Sequence, residues 1–275
     1  MFPHVETCLP ELMPFIAPLA EDYNTGRLNS WPEIAEPVRG FFTPEMVSRV
    51  DALIPGWREM AADGNGTTLI HVTAVLTALM CYPEYQKASP EQQAMLKWAV
   101  LFHDLAKRIE SGKRDHIHGF RSAALAGKAL PKLGFAVSRN GSSLEDWVSR
   151  TAAAITPYQG TDIQDNRQLP EIVGGIERLF GRNAPAALIV KTVLFHMSVN
   201  VLHEWPQMAP LTDGEIRQYM DANILPLLEI MMVVDNDAWA FFDAATKQRH
   251  REETLAAFAR IRQKLAHTGI VPNNQ

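Results

Sequence analysis

His103 and Asp104 stand side by side in LKWAVLFHDLAKR, His71 lies upstream in TTLIHVTAV, and Asp235 lies far downstream in MMVVDNDAW. Imidazole nitrogens and carboxylate oxygens drawn from separate segments make a mixed N/O ligand set, which suits a divalent transition metal. His118 and His196 fall between the pair and the last aspartate, so there are enough ligands for a second ion. A carboxylate beside a histidine can bridge two ions while the histidine binds one. No serine, cysteine or carboxylate with a recognisable activating partner stands in the chain, and a metal-activated water is the nucleophile that remains.

Several elements must bring these residues together. Ser89-Pro90-Glu91-Gln92 supplies an N-cap, a proline at the first helical position and a capping-box partner ahead of an apolar run through Phe102, so His103 and Asp104 ride late on a capped helix. Thr212 and Glu215 form a second capping box, and Pro226 can start a helix that runs through Asp235 toward Ala245. A third amphipathic helix is expected over residues 252–267, closed by Gly269. Residues 1 to about 60 carry eight prolines and read as short helices and extended pieces wrapped on the same domain, with the main domain over 61–275. Residues 140–183 mix Pro157, Gly160, Pro170, Gly174, Gly175 and Gly181 with polar residues, and a loop-rich insertion is expected there, of the kind that often shapes the mouth of a site. No alternating strand pattern is visible, so the architecture reads as all-α.

The chain has 275 residues, 47% hydrophobic and 21% charged, enough to bury one large core or two small ones. A formal net charge of −5 gives no basic footprint for a long nucleic acid and favours a small-molecule substrate. Cys8 and Cys81 are the two cysteines, which leaves no disulfide framework and no CxxC site and points to a reducing cytoplasm. The N-terminus lacks a basic segment and is broken by Pro3, Pro10 and Pro14, unlike a signal peptide. The apolar run over 224–234 is interrupted by Pro226 and Glu229 and is too short to span a bilayer, so no membrane insertion is expected.

The stretch from LFHDLAKR to HIHGFRSAALAGKALPKLGF resembles the HD superfamily of metal-dependent phosphohydrolases, in particular the HD domain attached to tRNA nucleotidyltransferases and stand-alone HD hydrolases. The matching residues are His103, Asp104, Ala106, Lys107, His118, Ser122 and Ala123, with His71, His196 and Asp235 completing the family's order. The resemblance covers residues 65 to 245 or so and weakens across the insertion. Where the family usually has glycine, this chain has Ala106, which a helix tolerates. The resemblance implies an HD-type helical bundle in which His71, His103, Asp104 and Asp235 hold the first metal. It further implies that Asp104 bridges to a second ion at His118 and His196, or that these two histidines face substrate. Asp237 competes with Asp235 for the last place, and residues two apart on a helix diverge in direction; Asp235 is preferred.

The implied activity is hydrolysis of a small phosphate ester, a nucleotide among the candidates, with one or two divalent ions (Mn, Fe, Co, Ni, Mg or Zn). Asp104 would orient the water, and His118, Lys107 or Arg121 would stabilise the phosphoryl group or protonate the leaving oxygen. Arg114 and Arg121 flank His118 as a candidate phosphate clamp, with surface solubility as the plainer account. His203 is an alternative ligand or a helix-end residue, His116 is read as exposed, and His4, His250 and His267 are read as solvated. Met231 and Met232 are read as core filler. No HDxxED or GYP segment is present, so the resemblance to guanosine-tetraphosphate hydrolases and cyclic-di-nucleotide phosphodiesterases is poor. Two rivals stand beside the hydrolase: an HD-fold mixed-valence di-iron oxygenase and a non-catalytic HD binding module. The first is separated by iron content with oxygen consumption. An intact ligand set argues against the second, because buried ligands gain nothing without a metal.

Overall fold

A computed structural model describes residues 2–109, 114–138, 146–147 and 164–266. Among these residues the chain is all-α, with no β-sheet. Five helices carry the ligand candidates: Thr67–Cys81, Pro90–His103, His118–Lys132, Pro185–Phe195 and Ile224–Trp239. The first and fourth of these are apolar around almost their whole circumference, with Thr68 through Leu79 and Ala186 through Phe195 buried, as expected of helices enclosed by others. Pro185–Phe195 packs on His118–Lys132 and Pro90–His103, and Ile224–Trp239 packs on Thr67–Cys81 and on the long C-terminal helix Ala244–Ala266.

Both capping boxes form: Ser89 with Gln92, and Thr212 with Glu215. Helix ends differ from expectation at the C-terminal side. The Asp235 helix stops at Trp239, and the last helix begins at Ala244, not near Glu252. Asp243 explains the earlier start, since its Oδ1 accepts from the Thr246 amide at 3.0 Å and its Oδ2 from the Thr246 hydroxyl at 2.8 Å, satisfying otherwise orphaned groups of a first turn.

The N-terminal segment forms the helices Val5–Cys8, Leu12–Asn24, Trp31–Phe41, Pro44–Leu53 and Trp57–Ala62. Its residues Val5, Ile16, Ile34, Val38, Ile54 and Trp57 belong to the same hydrophobic core as the ligand helices. Of the expected insertion, 140–145 and 148–163 lie outside the described residues. Its last part is a regular helix, Leu169–Phe180, not a loop. Pro170 sits in the first turn, where its missing N–H costs nothing. Gly175 and Gly127 both lie against the Trp147 indole, with a Cβ at either position falling within 2.3 Å of the ring, so these glycines make room for the tryptophan.

Candidate metal centre

Asp104 sits where the Pro90–His103 helix ends, and its two carboxylate oxygens face two histidine groups. Oδ1 lies 3.0 Å from His118 Nε2 and 3.9 Å from His196 Nε2, while Oδ2 lies 3.7 Å from His71 Nε2 and 3.6 Å from His103 Nε2. Asp235 Oδ1 closes the second group at 2.9 Å from His71 Nε2 and 3.7 Å from His103 Nε2. His71, His103 and Asp235 thus form one set of converging ligand atoms, and Asp104, His118 and His196 form another. All six residues named from the sequence are gathered at one place.

The fold fixes how the imidazoles point. Nδ1 of His103 donates to the Val100 carbonyl at 2.7 Å, Nδ1 of His196 to the Val193 carbonyl at 2.6 Å, and Nδ1 of His118 to the Asp115 carbonyl at 2.7 Å. Val100 and Val193 lie in the last turns of their helices, where carbonyls lack an intrahelical partner. With Nδ1 of each ring given to a backbone carbonyl, Nε2 faces the centre. His118 Nε2 and His196 Nε2 are then 3.0 Å apart, with Asp104 Oδ1 beside them. These three ligand atoms converge on one point. His103 Nε2 is fully buried and has no hydrogen-bond partner, and carboxylate oxygens of Asp104 and Asp235 lie 3.6 and 3.7 Å from it. A buried ring nitrogen without a partner, set among converging imidazoles and carboxylates, suits a cation, and this N/O donor set fits a divalent transition metal.

Gly119 permits this approach. A Cβ there would stand 3.2 Å from the Leu194 carbonyl oxygen and 3.4 Å from His196 Cε1, so the bare position lets the His118 and His196 elements close on one another. Asp115 supports the same corner: its carboxylate accepts from the Arg108 amide at 3.0 Å, the Ile117 amide at 3.1 Å and the Arg121 guanidinium.

The electrostatics follow the geometry. Burial, reinforced by His118 and His103, pushes His196 down to about 3, and burial lowers His103 as well. Burial alone would raise Asp104, but Lys107, His103 and His118 hold it well below the ordinary carboxylate range. Burial opposes Asp235 in the same way, and the His71 hydrogen bond with the neighbouring histidines holds it low. These groups therefore keep their metal-binding protonation states at neutral pH. A stability effect comes with the buried histidines. In the unfolded chain an imidazole takes up a proton near 6.5, whereas folded His196 stays neutral down to about 3, so the unfolded state binds more protons across that window. After chelation the thermal midpoint is expected to fall as the pH is lowered from 7.5 to 5; a midpoint that rises would refute neutral burial.

The other sequence candidates are placed as follows. Lys107 Nζ donates to Asp104 Oδ2 at 2.6 Å and lies 4.9 Å over the Trp239 ring. Arg121 pairs with Asp115 and does not line the cavity beside the ligands, whereas Arg114 and Arg108 do. Asp237 turns away from the ligands, with its carboxylate bound by Arg251 Nε at 2.8 and 2.9 Å. His203 is exposed and pairs with Glu253. His116 is half-buried and is absent from the cavity lining. His250, read from the sequence as solvated, is buried instead, with Nε2 at 2.5 Å from Glu204 Oε1; it lies on the inward face of the last helix, whose early start the sequence reading did not include. His4 is half-buried, and His267 lies outside the described residues.

Three contributors were not singled out in the sequence: Asp115, Trp205 and Trp239. Trp239 follows Asp235 by one helical turn, a spacing that puts both on one face. Trp205 and Asp115 lie outside helices and leave no periodic signal. The cavity that opens on the ligand cluster has a volume of about 450 Å³. Compared with family models, curated proteins and solved structures, the chain gives no match.

Proposed function

We propose that this protein is an HD-type, metal-dependent phosphohydrolase acting on a small phosphate ester. The observation that carries the reading is the pair of converging His/Asp ligand sets joined by the two oxygens of Asp104, beside a cavity lined by Lys107, Arg108 and Arg114. Divalent ions held by the six ligands supply an activated water and positive charge opposite the phosphoryl oxygens. Asp104 holds the two ligand sets in register. Lys107 stands at the boundary between ligands and cavity, within reach of a phosphate lodged there, and the two arginines at the rim offer forked donors that match phosphate oxygens. His118 directs Nδ1 to Asp115 and Nε2 to its ligand set, the orientation of a metal ligand. The order of residues resembling HD phosphohydrolases supports the same reading.

The test is a panel of phosphomonoesters and phosphodiesters run with and without metal. Activity is expected to vanish in chelator and to return on addition of Mn²⁺, Co²⁺, Ni²⁺ or Mg²⁺; full activity in the chelated protein would end the proposal. Two ligand sets also suit a di-iron centre, and the second reading is an oxygenase. It would take precedence if the isolated protein held iron and consumed oxygen in the presence of a substrate that it left unhydrolysed.

A further inference from the structure

The wall of the cavity facing the ligands has a chemistry of its own. Ile109, Met197, Val201, Leu202, Trp205 and Trp239 line it. Trp205 and Trp239 stand edge to face with centroids 6.3 Å apart, and the Trp239 ring also lies 4.7 Å from His71. Both tryptophans keep large exposed areas, 44% and 46%, although each adjoins an apolar wall that could bury it. Their exposed parts add aromatic surface to the lining of the cavity.

The polar side chains of the same lining are turned to the protein. The Thr67 hydroxyl donates to the Gly64 carbonyl at 2.6 Å and the Thr68 hydroxyl to Asp63 at 3.3 Å. The Asn236 amide nitrogen donates to Thr254 Oγ1 at 3.1 Å. With its amide oriented to suit its neighbours, Gln207 donates to the Met197 carbonyl and accepts from Arg114, each at 3.3 Å. Each of these four side chains gives a hydrogen bond to the protein, and the rest of the lining away from the ligand cluster is cationic, apolar or aromatic. A sugar with many hydroxyls, or a base read along its hydrogen-bonding edge, would lose water there and find few partners.

We infer that the cavity takes phosphate esters whose alcohol part is a flat apolar body, lying against the apolar wall that Trp205 and Trp239 border, with the phosphate toward Lys107 and the ligand cluster. The phosphate end of this inference rests on the proposed function; the apolar end rests on the wall alone.

Two phosphates of primary alcohols, 2-naphthylmethyl phosphate and glucose 6-phosphate, separate the classes without a large difference in leaving group. With the Mn²⁺-loaded protein, kcat/KM is expected to be at least about a hundredfold higher for the naphthyl ester, given the area its rings bury. Calorimetric titration with the product alcohol, 2-naphthylmethanol, reads the pocket without catalysis. The alcohol is expected to bind, and about tenfold more weakly to Trp205→Ala and to Trp239→Ala, with Mn²⁺ content unchanged in both as the check on folding. Equal or better use of glucose 6-phosphate, absence of alcohol binding, or binding untouched by both substitutions would overturn the inference. Alcohol binding that is lost in the variants, together with no hydrolysis of any ester, would uphold the apolar pocket and bring down the hydrolase reading.

Discussion

Replacing Asp104 with alanine is expected to lower metal-dependent turnover by about a thousandfold or more and to empty the metal site. Asp104 is the one residue whose two oxygens face both ligand sets, at 3.0 Å from His118 on one side and 3.6 Å from His103 on the other. Its loss removes a ligand from each set at once, and it takes from Lys107 the partner that holds the ammonium at the cavity floor. A thousandfold is about 4 kcal/mol of barrier, within the range of a site that loses both its nucleophile and its charge stabilisation. The fold should survive, because Lys107, the charge left without its partner, lines the cavity and can be met by water there. Elemental analysis and steady-state kinetics on the same sample check it. Asp237→Ala is the comparison: that carboxylate is held by Arg251, so metal content should not change. An Asp104→Ala protein with wild-type metal content would show that the carboxylate is not a ligand.

Trp98→Ala is expected to destabilise the protein by about 3–5 kcal/mol, the usual range for deleting a buried large aromatic. Trp98 is fully buried on the helix that ends in His103, stacks on Phe102 with centroids 5.7 Å apart, and donates its indole N–H to the Pro3 carbonyl at 2.9 Å. The side chain therefore joins the N-terminal segment to the helix that presents the metal ligands. Denaturant unfolding followed by two probes checks the magnitude and the cooperativity. A loss below about 1 kcal/mol, or a separate early transition of the N-terminal segment, would show that this segment is not part of the shared core.

The helical class and the ligand set were legible in the sequence for different reasons. Capping residues such as Ser89 and Thr212 leave local marks, and the apolar runs around His71 and His196 show that those histidines sit on enclosed helices. The six candidate ligands were readable through the order of residue types and the resemblance it carries, since residue type alone would leave His71 as a core histidine. What stayed hidden depends on tertiary placement. Arg121 and Arg114 look alike beside His118 in the sequence, yet Asp115 draws Arg121 out of the cavity and leaves Arg114 at its rim. The Leu169–Phe180 helix was masked by Pro170, Gly174 and Gly175, which mark loops when isolated but here open a helix and make room for Trp147. The aromatic wall of the cavity is built by Trp205 from a loop and Trp239 from a helix end, far apart in the chain, and no local pattern joins them.

The most direct test of the central claim is elemental analysis of the protein after loading with Mn²⁺ and removal of free ion. Two ligand sets predict about two equivalents of tightly held metal per chain, both lost in Asp104→Ala. A protein that retains no divalent metal, or an Asp104→Ala variant that retains as much as the unaltered chain, would contradict it.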